Sequence, residues 1–114
     1  RQEIETLIEN GNLLWEDAIH ELCDGKMSEK KEDRYLDHLR IYCPHYLMMD
    51  LVNYAKSASR LETKVGILHA LGWHTHSHMR PQLCEAILPM TTDTTLDPAV
   101  RAEATRTLKR LKGE

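Results

Sequence analysis

The residues best able to do chemistry in this 114-residue chain are its seven histidines and three cysteines. The densest group is His74-Thr75-His76-Ser77-His78. On a helix, His74 and His78 would share one face at i, i+4, a spacing that can hold zinc, and His76 would point away. A zinc site needs further ligands. No carboxylate lies between His69 and Glu85. His69 or Cys84 could contribute only if the fold brought them in. Gly72 and Pro81 bracket the run, which favours a polar inter-helix turn with solvated histidines. His74 and His78 are the test residues for metal, and the expectation is no metal and no cofactor.

The other reactive pairings are weaker. His20-Glu21 is a single pair, and an iron site would need several on facing helices. Cys43 precedes His45 by two residues and Cys84 follows His78 by six. Neither pair carries the local signature of a cysteine nucleophile. Cys23, Cys43 and Cys84 are odd in number and widely spaced, which argues against a disulfide framework. Free thiols fit a reducing, cytoplasmic compartment, and apolar neighbours suggest small buried side chains. The five glycines are isolated, so there is no phosphate loop. The acidic residues read as solvated helix faces. The expectation is a protein that is not an enzyme.

Trp15, Trp73, Tyr42, Tyr46 and Tyr54 are the main large aromatics. Tyr42 and Tyr46 lie a helical turn apart across Pro44, beside Met48 and Met49. Exposed aromatic and methionine side chains suit partner binding. That makes Tyr42, Tyr46 and Met49 the candidate partner-binding residues, although core is the commoner role at helical spacing.

Charge narrows the partner class. The net charge is -3: residues 1–33 sum to -6, residues 34–96 to +1 and residues 97–114 to +2. An acidic head and a mildly basic tail do not make a nucleic-acid binder. Arg106, Lys109, Arg110 and Lys112 suit the C-terminal end of a helix dipole instead. No apolar run approaches the ~18 residues of a membrane span. At 41% hydrophobic and 29% charged, the composition is that of an ordinary globular domain. Arg at position 1 suggests a fragment of a longer protein, and there is no signal peptide or lipidation motif.

The elements that must position these residues read as helices almost throughout. The first stripe is Ile4, Leu7 and Ile8, ended by Asn10-Gly11-Asn12. The second is Leu14, Trp15, Ala18, Ile19 and Leu22, closed by Asp24-Gly25. Ser28 caps a third carrying Tyr35, Leu36, Leu39, Tyr42 and Cys43. Pro44 starts a fourth with Leu47, Met48, Leu51, Val52 and Ala55. Ser59 with Glu62 predicts a capping box for a fifth, Leu61 to Leu71. Pro81 opens the sixth, with Leu83, Ile87 and Leu88, and Thr91 to Thr95 reads as loop. Asp97-Pro98 starts the seventh, with Val100, Ala104, Leu108 and Leu111, and Gly113 ends it.

A repeat at offset 37 relates Thr63–Gly72 to Val100–Lys109. Lys64 matches Arg101, Ile67 matches Ala104, and Leu71 matches Leu108. A weaker copy falls on Lys31 to Arg40, with Leu36 and Leu39 at the corresponding positions.

Asp97-Pro98-Ala99-Val100-Arg101, followed by Ala104 and Leu108, resembles the first helix of a HEAT repeat. Lys64 to Gly72, with its Ala-Leu-Gly ending, does the same. The resemblance covers residues 60–112 well and residues 28–58 poorly. It departs from the family at Thr63, where Val is preferred, and at Lys109, where a closing Gly is usual. It implies stacked helical hairpins and a surface for other proteins. A fainter resemblance joins Asp24-Gly25-Lys26-Met27-Ser28, His38 and Cys43-Pro44-His45-Tyr46 to the zinc-binding module of bacterial anti-sigma factors. Four residues separate His38 from Cys43, and Tyr46 stands where that module has its second cysteine. The zinc site is therefore not expected, even if the helical scaffold is kept.

The expectation is an all-α domain over 1–114, built of antiparallel hairpins stacked as a HEAT-like α-solenoid of about seven helices. Its expected role is a non-catalytic protein-interaction or scaffold module, with a protein partner and neither nucleic acid nor membrane. The alternative is a metal-binding or regulatory helical domain, anti-sigma-like, using His74 and His78.

Overall fold

A computed structural model describes the backbone of residues 13–114 and the side chains of residues 18–114. The helix expected over Ile4, Leu7 and Ile8 lies outside the described residues, as do the side chains of Leu14 and Trp15. Among the described residues there are six α-helices and no strand. They are α1 (Leu13–Cys23), α2 (Glu29–Ile41), α3 (His45–Ser57), α4 (Leu61–Leu71), α5 (Arg80–Ile87) and α6 (Pro98–Lys112). A 3₁₀ turn, Leu88–Thr91, extends α5 into a segment expected to be loop only from Thr91 onward. Buried Met90 holds that turn against the core.

Local chemistry sets most of the boundaries. Ser28 Oγ accepts from the Lys31 amide at 3.2 Å and starts α2, with Glu29 and Glu32 in the positive first turn. Asp97 Oδ1 accepts from the Ala99 amide at 2.8 Å and starts α6, with Pro98 at the first helical position. Gly25 and Gly113 follow the ends of α1 and α6 with φ of 72° and 78°. In each case the glycine and the next residue donate back to the last helical turn, a Schellman closure.

The capping box expected at Ser59 does not form. The residue before α4 is Arg60, and no side chain caps that helix. The Ser59 amide donates to the Cys23 carbonyl at 3.0 Å, and its side chain packs over Gly25. Ser59 is thereby committed to the end of α1.

Helix α4 sits between α2 and α6 and also packs on α3. Helix α3 touches α5, and α5 rests on α6. Helix α1 borders α3, where the His20 and Tyr54 rings meet edge-on at 6.2 Å. Tyr35 and Leu39 of α2, Leu51 of α3, Ile67, Leu68 and Leu71 of α4, Leu83 and Ile87 of α5, and Val100 and Ala104 of α6 form one core. The repeat is visible in burial: Thr63 and Val100, Ile67 and Ala104, and Leu71 and Leu108 are all buried. The weaker copy holds at buried Leu39 and slips at Leu36, which is only partly buried.

Two carboxylates expected on solvated faces are buried instead. Glu32 is 5% exposed and Glu103 6%. Glu32 Oε1 accepts from Thr63 Oγ1 at 2.9 Å and from the Arg60 guanidinium. This gives Thr63 a physical role: its hydroxyl joins α4 to α2. A second tie joins α6 to α4, where Thr107 Oγ1 donates to the Leu68 carbonyl at 2.9 Å.

Candidate functional site

The α4–α5 connection is a chain of turns. Backbone amides of Trp73, His74, Ser77 and Arg80 each donate three residues back. This is the polar inter-helix turn favoured from Gly72 and Pro81, and it removes the helical spacing that would have paired His74 with His78. The two side chains find different neighbours. His74 Nε2 lies 2.6 Å from the Leu39 carbonyl at the end of α2. A carbonyl can only accept, so Nε2 carries the proton. The His78 ring meets the His45 ring at the start of α3, with centroids 4.8 Å apart. Among the described residues, no group of three His, Cys, Asp or Glu side chains is placed to hold a metal ion.

This geometry gives the histidines unequal weight in stability. His74→Ala is expected to cost about 1 kcal/mol, because it releases the turn from α2 and leaves the Leu39 carbonyl short of a donor. His78→Ala is expected to cost less than about 0.5 kcal/mol, as for most surface changes. Urea titration of both variants, with and without chelator, checks this. Equal losses together with a chelator-dependent midpoint would contradict the assignment.

His74 and His78 nevertheless line one cleft of about 310 Å³, together with Ile41, Tyr42, Cys43 and Trp73. Of the aromatic candidates, Tyr42 thus meets the two histidines in one cleft, whereas Tyr46 lines a different one with His20, Asp50 and Tyr54. Tyr42 is 57% exposed and Tyr46 49%, so neither takes the core role commoner at helical spacing. The cause is a break in helical phase. Helix α2 stops at Ile41, and Tyr42 is extended, with φ -142° and ψ 127°. Cys43 takes the inward position, and the helix restarts at His45 after Pro44. Met49, the third candidate, is partly buried against the core.

The sequence reading missed Ile41, 72% exposed, and the cations around Trp73. The Arg40 and Arg110 guanidinium carbons lie 5.6 and 4.7 Å from that ring. Contacts of this kind hold an exposed indole in a defined orientation. Trp73 Nε1 also donates to His69 Nε2 at 3.4 Å. Ile41 was legible as an apolar residue at a helix end. Arg110 was not, since it comes from α6.

Two of the three cysteines, Cys23 and Cys43, are buried as thiols. Cys43 Sγ points to the Pro44 carbonyl at 3.5 Å. Burial pushes the thiols of Cys23 and Cys43 from 9.0 up to about 12, with Asp24 and Glu32 adding to the effect at Cys23. The sign follows from linkage. The folded chain keeps these protons, whereas the unfolded chain releases them above about pH 9. Their contribution to stability is complete below that pH and is lost as pH rises toward 12. Iodoacetamide at pH 8 is expected to modify half-buried Cys84 first, with Cys23 and Cys43 at least about 100-fold slower until the chain unfolds. Peptide mapping of the adducts would show otherwise if Cys43 reacted in step with Cys84.

No family model, curated protein or solved structure matches this chain. Among the described residues, no helix is long and apolar enough to cross a membrane.

Proposed function

We propose that this chain is a non-catalytic protein-interaction module of stacked helical hairpins, HEAT-like in plan, whose contact surface is the aromatic cleft. The observation that carries this reading is the grouping of Ile41, Tyr42 and Trp73, all about half exposed or more, around one cleft. Large exposed apolar side chains grouped in this way mark interaction sites, and tryptophan, tyrosine and arginine dominate binding energy at such sites. The placement of α2, α4 and α6 side by side, with α3 and α5 behind them, supports the hairpin-stack part of the reading.

Affinity capture from the native source with the wild-type chain, compared with Tyr42→Ala and Trp73→Ala, tests the proposal. The expected result is a saturable protein partner whose dissociation constant rises at least tenfold in both variants while their melting curves stay close to wild type. A partner held equally by both variants would move the contact surface elsewhere.

A further inference from the structure

A second surface, separate from the aromatic cleft, crosses α4 where it is flanked by α2 and α6. It is a groove of about 550 Å³. Leu36, Leu61 and Val65 give it an apolar floor, and Leu61 is 39% exposed there. Gly66 allows the approach of α2: a Cβ at that position would meet Leu36 Cδ1 at 2.6 Å. The charged lining is of one sign. Glu32, Asp33, Glu62 and Glu103 border the groove, with no lysine or arginine among its lining residues.

These acids are not equivalent. Glu32 is neutralised by Arg60. Asp33 and Glu62 are exposed and form no ion pair with the described residues. Glu103 is the informative one. Its Oε1 is taken by Arg106 at 2.8 and 3.2 Å. Its Oε2 is fully buried and has no hydrogen-bond partner. His69 Nδ1, on a ring that is itself about half exposed, faces it at 3.6 Å, within ion-pair but not hydrogen-bond distance. A buried carboxylate oxygen without a donor is costly to keep. Here it stands at the wall of an apolar groove whose rim is acidic.

We infer that this groove binds a basic, amphipathic peptide segment of a partner protein. Its apolar side chains lie on Leu36, Leu61 and Val65. Its lysine or arginine side chains pair with Asp33 and Glu62 at the rim, and one of them reaches past the His69 ring to Glu103 Oε2. Charge complementarity chooses the occupant. An acidic or neutral segment would leave the rim unpaired and the buried oxygen unsatisfied. An arginine fork fits this role well, because it carries an apolar stem beneath a planar donor set.

The test uses the full chain and three fluorescent twelve-residue peptides: one of leucine and arginine at helical spacing, one with glutamate in place of arginine, and one with glycine in place of leucine. Anisotropy is expected to show micromolar binding of the leucine–arginine peptide alone, weakening as salt rises. The double variant Asp33→Asn/Glu62→Gln changes only exposed side chains and so keeps the fold. It is expected to weaken binding at least tenfold, and Glu103→Gln to weaken it further. Tyr42→Ala is expected to leave peptide binding unchanged, so this inference and the reading of the aromatic cleft fail separately. Equal binding of the arginine–glycine peptide, or binding indifferent to Asp33→Asn/Glu62→Gln, would overturn the inference. So would no binding at millimolar peptide. Sedimentation showing that the groove is filled by the basic α6 of a second copy would overturn it too.

Discussion

Leu68→Ala is expected to lower the unfolding free energy by about 3–5 kcal/mol, within the range for a leucine truncated in a rigid core. Leu68 is fully buried, at 0% exposure, on the helix that touches α2, α3 and α6. Its carbonyl is pinned by Thr107. The backbone around the new cavity is therefore held from several sides and collapses little, which puts the cost toward the upper end. A domain of this size has only about 5–15 kcal/mol in total. With a urea slope of about 1–3 kcal/mol per molar, the midpoint should fall by more than 1 M. Leu88→Ala, at a residue 54% exposed, serves as the control and should shift the midpoint very little. A loss below about 1 kcal/mol for Leu68→Ala would mean that α4 is not the centre of the packing.

Glu32→Ala is expected to cost about 2–4 kcal/mol. The carboxylate joins α2 to the start of α4 through Thr63 and Arg60, and it is 5% exposed. Breaking a buried pair by removing one member strands the other, typically at about 3–5 kcal/mol. The Arg60 side chain is one-third exposed and can turn to water, which trims the upper end. The Thr63 hydroxyl, at 0% exposure, cannot. The double change Glu32→Leu/Thr63→Val should therefore recover much of the loss, because the buried hydroxyl goes with its partner. Thermal melts of the three variants decide the matter. If Glu32→Ala alone melts with the wild type, the node has no structural weight.

How much of this could be read from sequence depends on how far each cause reaches along the chain. Ser28, Asp97 and Gly113 act on backbone within a few residues, so their roles were legible. The all-α class followed from apolar spacing within single helices. Ser59 misled because its amide is claimed by Cys23, on a different helix. Tyr42 misled because it is extended and ends the helical phase before Pro44, whereas counting along α2 placed it with Leu39 and Cys43. Glu32 and Glu103 looked like face residues. Thr63, which helps bury Glu32, lies 31 residues away, and no local pattern announces it. At the candidate site, His74 and Tyr42 were named from their types. Their meeting in one cleft comes from α2 ending beside the α4–α5 turn.

The central place of α4 also fixes the order in which the domain comes apart. Amide hydrogens exchange with solvent only when the hydrogen bonds covering them open. The ends of α2 and α6 can fray while α4 keeps its other neighbours, so their protons leave through partial openings. Those of Ile67, Leu68 and Leu71 wait for the row to separate, and their exchange reports the whole domain's unfolding. The side-chain ties across this row span 31 and 39 residues, so they close only after the local turns of each helix have formed.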